Sequence, residues 1–144
     1  MFALAIPAIL LLVVGCGTTP PPPPEPEHAP TGHFADSANL RYSNKWRIEV
    51  SEGARSTGEI VFHLTPFGGE TQVIAVPIER GTGENRVARE IRDVFRDSID
   101  PGSFTVEVDD GEDVLVKKRR DAENFALSAV SSTVGSVRLR VQAE

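Results

Sequence analysis

Residues 81–116, GTGENRVAREIRDVFRDSIDPGSFTVEVDDGEDVLV, decide the fold, because the period of the apolar residues changes inside them. Val87, Ile91, Val94 and Phe95 fall at i, i+4, i+7 and i+8, while Arg86, Arg89, Glu90, Arg92, Asp93 and Arg96 take the remaining positions. That is one buried stripe on an amphipathic helix. Thr82 stands where a capping side chain is wanted, and Asp100-Pro101-Gly102 stops the helix. Beyond it Phe104, Val106 and Val108 alternate with polar residues up to Asp109-Asp110-Gly111, and the chain returns through Val114 and Val116. A three-residue loop with Gly111 in the left-handed conformation predicts that Val106 pairs with Val114 and Phe104 with Val116.

Working outward, the two-residue period recurs on both sides. Trp46, Ile48 and Val50 share one face, with Lys45, Arg47 and Glu49 on the other. Ile60, Phe62 and Leu64 repeat the pattern over 59–65, Pro66-Phe67-Gly68-Gly69 turns the chain, and Ile74, Val76 and Ile78 face the same way over 71–78, so a hairpin is expected. His63 falls on the outer face of its strand. Residues 125–131 and 137–141 supply two further strands around Thr133-Val134-Gly135. The expected fold is α+β: one mainly antiparallel sheet of about seven strands with a single amphipathic helix packed on one face, in the order βββαββββ.

This arrangement is similar to the ββαββ modules of flagellin hook proteins and phage tail proteins. The likeness is carried by Glu70 to Ile78, Val87 to Phe95 and Phe104 to Val116. It implies a structural or assembly module and assigns no catalytic residue.

The domain of residues 41–144 is preceded by two segments of other character. From Met1 to Val14 nearly every residue is apolar, yet the run is shorter than the roughly 20 residues that span a bilayer, so it reads as the core of a signal peptide. Its last residues, Val13-Val14-Gly15-Cys16, resemble the lipobox of bacterial lipoproteins, although no Lys or Arg precedes the apolar run. The resemblance implies that residues 1–15 are cut off and that Cys16, the only cysteine, carries lipid and becomes the first residue of the mature chain. Gly17 rather than Asp after the cysteine implies sorting to the outer membrane, on its periplasmic side. Residues 16–40 then form a lipidated, proline-rich linker. The prolines of TTPPPPPEPEHAPTGH, residues 18–33, donate no backbone hydrogen bonds and fix φ, so the tract is expected to be an extended spacer of roughly 3 Å per residue.

Charge and motifs exclude several functions. The chain has 144 residues and a net charge of −6, and its basic residues are scattered except for Lys117-Lys118-Arg119-Arg120, so nucleic acid is not an expected partner. That basic run either touches anionic lipid or peptidoglycan carboxylates or is neutralised by the acidic turn Asp109-Asp110-Gly111-Glu112-Asp113 before it. The acidic turn itself lacks the spacing of a calcium loop, and His28 and His33 alone make no metal site. Gly81-Thr82-Gly83 between strand and helix imitates a dinucleotide fingerprint, but Arg86 stands where the third glycine belongs and no second βαβ unit follows. With no serine elbow, no HExxH and Cys16 lipidated, neither an enzyme nor a cofactor is expected. Two functions stay open: a membrane-anchored module that binds another cell-envelope protein through its sheet, or a periplasmic binder of a small ligand or peptidoglycan. An exposed apolar strip on an uncovered sheet face points to the first, and a closed concave pocket to the second.

Overall fold

The structure, a computed structural model, describes residues 40–144. Cys16, the signal segment and the linker therefore lie outside the described residues, apart from Leu40. Along the chain come β1 (Lys45–Ser51), β2 (Gly58–Pro66), β3 (Gln72–Ile78), α1 (Glu84–Ser98), β4 (Phe104–Asp109), β5 (Asp113–Lys118), β6 (Phe125–Ser132) and β7 (Arg138–Ala143).

The fold is α+β with every strand pair antiparallel, but the strands form two sheets, not one. The spatial orders are β4-β5-β1-β7 and β3-β2-β6. Their inner faces cover each other. Phe104 on β4 meets Phe125 on β6 edge to face at 5.0 Å, and the Trp46 indole N–H on β1 donates to the Phe125 carbonyl at 2.8 Å. The inward residues of both sheets belong to one continuous core, in which Ile48, Ile60, Phe62, Leu64 and Phe125 have no exposed surface.

The single helix thus does not lie on the face of one sheet. It runs along the side of the sandwich where β3 and β4 are the edge strands, contacting both as well as β1 and β5. Its apolar stripe is the one the sequence predicts, with Val87, Ala88, Ile91 and Phe95 buried. Phe95 packs edge to face on Phe62 of β2, with ring centroids 5.2 Å apart. Two polar ties fix the last turn to the edges on either side: Gln72 of β3 donates to the Ser98 carbonyl, and Arg96 Nε donates to the Val106 carbonyl of β4 at 2.8 Å.

Thr82 does not cap the helix. The N-cap is Gly83, without a side-chain cap, because the backbone of Thr82 is engaged one residue earlier: its carbonyl accepts from Ala54 N–H at 2.8 Å. At the other end the Asp100 carboxylate accepts from Gly102 N–H at 3.0 Å and Ser103 Oγ at 2.6 Å, turning the chain into β4.

The β4–β5 hairpin has a three-residue loop with Gly111 at φ +83°, but the loop is residues 110–112 rather than the expected 109–111, so the register is two residues away from the expected one. Val106 faces Val116, Val108 faces Val114, and Asp109 stands opposite Asp113. A shift of two keeps every side chain on its face. Two carboxylates facing each other would repel. Here Arg47 of the neighbouring β1 reaches Asp113 and lies 3.5 Å from Asp109, so the pairing that looks worst within the hairpin is the one β1 stabilises. Gly58, at the start of β2, shows a different constraint: a Cβ there would sit 2.8 Å from the backbone of Thr133, whose hydroxyl accepts from Glu59 N–H.

Candidate interaction surfaces

The two outer faces of the sandwich differ sharply in charge. On the four-stranded sheet the outward rows read Lys117–Lys45, Leu115–Arg47–Gln142 and Asp113–Glu49–Arg140. Arg47 is the hub. Its guanidinium pairs with Asp113, with Glu144 at 2.6 Å and with Asp109, while Lys45 also pairs with Glu144. The hydrogen bonds from Lys45 and Arg47 hold the Glu144 carboxyl below its ordinary value, and those to Glu144 and Asp113 push Arg47 further up. Docking on this face would strip water from charges that already have partners.

The three-stranded sheet presents the opposite. Its two central outward rows are Ser128–His63–Val73 and Ser131–Val61–Ala75, and neither contains Asp, Glu, Lys or Arg. Charged residues make up a quarter of the chain, so this is a marked depletion. Val73 is 61 % exposed, Ala75 and Pro77 are exposed, and Val61 and His63 are half-buried. Glu59, opposite Pro77, marks the rim. Pro77 lies on an edge strand and carries no N–H, which blunts that edge against further strand pairing. What remains open is the flat face. At the turn between β2 and β3, Phe67 is 62 % exposed and stacks edge-on against Tyr42 at 5.2 Å, close to where the chain enters at Leu40.

The basic run is not one patch. Lys117 pairs with Glu107 across the hairpin, and Lys118 Nζ donates to the Ala122 carbonyl at 2.7 Å. Arg119 and Arg120 lie exposed beyond the end of β5. Arg119 is then brought to a place its sequence neighbours do not share, an open cleft of about 350 Å³ between the end of α1 and β4 that Arg96 also lines. A second cleft, at the start of α1, is lined by Gly53, Gly83, Glu84, Asn85, Arg86 and Arg89, the turn that imitates a nucleotide fingerprint. Among the described residues no three His, Cys, Asp or Glu gather to hold a metal ion, and no helix is long and apolar enough to cross a membrane.

The sequence reasoning placed His63 on an outer face but passed over its uncharged surroundings. The signal was present: apart from Glu59 at the rim, the exposed and half-buried outward positions of β2 and β3 are Val61, His63, Val73, Ala75 and Pro77, where those of β1 are Lys45, Arg47 and Glu49. The meeting of Arg96 with Arg119 had no signal, because it depends on how the helix end sits against β4. No protein-family model and no curated protein matches the chain.

Proposed function

We propose that this protein is an interaction or assembly module of the cell envelope, tethered by lipid on Cys16 to the periplasmic side of the outer membrane, that docks another envelope protein on the outer face of β3-β2-β6. The observation that carries the docking face is its lack of charge around the exposed Val73, in a chain where the other sheet face is laced with ion pairs. Burying apolar side chains is favourable and a hydroxyl that keeps a hydrogen-bond partner costs little, whereas stripping water from charges, even paired ones, costs several kcal/mol as a rough order. The fitting partner is therefore a protein surface that is itself apolar and uncharged. Nucleic acid or a strongly acidic surface would find no counter-charge here.

The assembly role agrees with what the likeness to hook and tail modules implies, and the Cys16 tether rests on the lipobox residues alone. No chemistry is assigned to the described residues. The second reading, a binder of a small ligand or of peptidoglycan, has its foothold in the cleft that Arg96 and Arg119 line. A photo-crosslinking residue at position 75, compared with one at position 140 on the charged face, separates the two faces in intact cells. The expected result is a discrete protein adduct from position 75 and none from 140. Adducts from 140 alone would overturn the assignment.

A further inference from the structure

The cleft between the end of α1 and β4 has a specific chemistry. Its floor is apolar: Ile99, Phe104 and Val106 are each less than a tenth exposed, and Pro101 borders them. Arg96 and Arg119 also line it, and no Asp or Glu does. Only Nε of Arg96 is bonded, to the Val106 carbonyl, leaving the two Nη groups of the fork for a ligand.

The strand edge adds a third donor. Phe104 N–H bonds the Asp100 carbonyl at 3.0 Å and Arg119 N–H bonds the Ser103 carbonyl at 2.7 Å. Together with the bond from Arg96 to the Val106 carbonyl, this fixes the alternation along β4. The even-numbered residues turn their backbone groups away from β5, so Val106 N–H faces the cleft side of this edge strand.

The neighbouring carboxylate offsets only one of the two cations. Asp100 is kept ionised by the bonds from Ser103 and Gly102 and, to a smaller degree, by Arg119, and those bonds occupy its oxygens without removing its charge. Two arginines and the Val106 amide thus border one cleft over apolar ground, and against the single charge of Asp100 they leave a surplus of positive charge.

We propose that this cleft binds a carboxylate carried on a small apolar body, the carboxylate held by Arg96 and Arg119 and the body resting on Ile99, Phe104 and Val106. Guanidinium forks match carboxylates in shape and charge. A free peptide C-terminus and a short fatty acid share this chemistry. The peptide alone can also accept from Val106 N–H through its own backbone.

The test is an NMR titration of the ¹⁵N-labelled full-length chain with acetyl-Ala-Leu-Val, with the same peptide as its C-terminal amide, and with hexanoate. The free acid should shift the Val106 and Arg119 signals saturably, and the amide should bind about tenfold more weakly, the order expected for one charge-assisted contact. Arg119→Gln, a change at an exposed side chain, should weaken the acid by a similar factor and leave the remaining spectrum in place. Saturation by hexanoate as well assigns the site to apolar acids in general, and saturation by the peptide acid alone assigns it to peptide C-termini. Equal binding of acid and amide, no shift by either acid, or unchanged affinity in Arg119→Gln would overturn the proposal. None of these outcomes touches the crosslinking at position 75, which reports on the other surface.

Discussion

Truncating Phe95 to Ala is the most direct test of how the helix holds the sandwich together. The ring has no exposed surface, packs edge to face on Phe62 at 5.2 Å, and sits on the helix that closes the side between the two sheets. Removing a fully buried Phe costs about 3 to 5 kcal/mol, the upper half applying where neighbours cannot collapse into the cavity. Collapse is hindered here, because the Gln72 and Arg96 bonds tie the end of the helix to β3 and β4 and resist its moving inward to fill the space. A loss of about 4 kcal/mol divided by a urea m-value of about 1.5 kcal/mol/M lowers the midpoint by roughly 2.7 M. For a small domain whose whole stability is about 5 to 15 kcal/mol, the variant stands at the edge of folding. Arg89→Ala, at an exposed position of the same helix, should cost no more than about 0.5 kcal/mol. Part of the Phe95 loss belongs to the pair, so a double-mutant cycle with Phe62→Leu should return a coupling of about 0.5 to 1.5 kcal/mol. If Arg89→Ala shifts the urea midpoint as far as Phe95→Ala does, the helix does not close the core in this way.

Two further outcomes follow from the chain ends. The Glu144 carboxyl is held below its ordinary value by Lys45 and Arg47, so the folded state binds its proton less readily than the unfolded state. Its contribution is complete above the unfolded value of about 4.3 and is lost as pH falls through the lower folded value, so Glu144→Gln should flatten the acid limb of urea midpoint against pH and leave its slope near pH 7 unchanged. At the other end, Cys16→Ser should move the protein out of the membrane fraction and abolish incorporation of labelled fatty acid, since several acyl chains anchor a protein stably and none anchors it here. A Cys16→Ser protein that still sediments with membranes, beside a wild type that takes up no label, would contradict lipid attachment.

The strands and the helix were legible because local burial writes its own period. Trp46-Ile48-Val50 and Ile60-Phe62-Leu64 each show one face to the core, and Val87-Ile91-Phe95 shows one stripe. What that period does not say is which surface lies opposite. An apolar face reads the same whether a helix or another sheet covers it, so the division into two sheets stayed hidden. A size argument reaches it: a helix is about 10 Å across and strands lie about 4.8 Å apart, so one helix covers two strands and leaves five of seven faces to be buried otherwise. The register of the β4–β5 hairpin was hidden for a similar reason, since the residue that reconciles Asp109 with Asp113 is Arg47, more than sixty positions earlier in the chain. Among the candidate site residues, Lys117 pairs with Glu107 of β4 and not with the acidic turn, whose Asp109 and Asp113 are taken by Arg47. Arg119 lies beside Arg96 and near Asp100, neighbours that the position of the helix end supplies and the local sequence does not show.

The place where the chain enters the domain has a mechanical consequence. Ser43 exchanges backbone hydrogen bonds with Phe125 of β6, and two residues later β1 begins, laddered to β5 on one side and to β7 on the other. A pull on the chain at Leu40 is thus delivered to an inner strand of the four-stranded sheet rather than to an edge. To draw β1 out, the force must break the Ser43–Phe125 bridge and then work against two ladders together, while the Lys45 and Arg47 pairs to Glu144 clamp the end that is loaded first. If Cys16 tethers the domain as proposed, tension along the linker enters through a strand laddered on both sides and is shared by its neighbours β5 and β7.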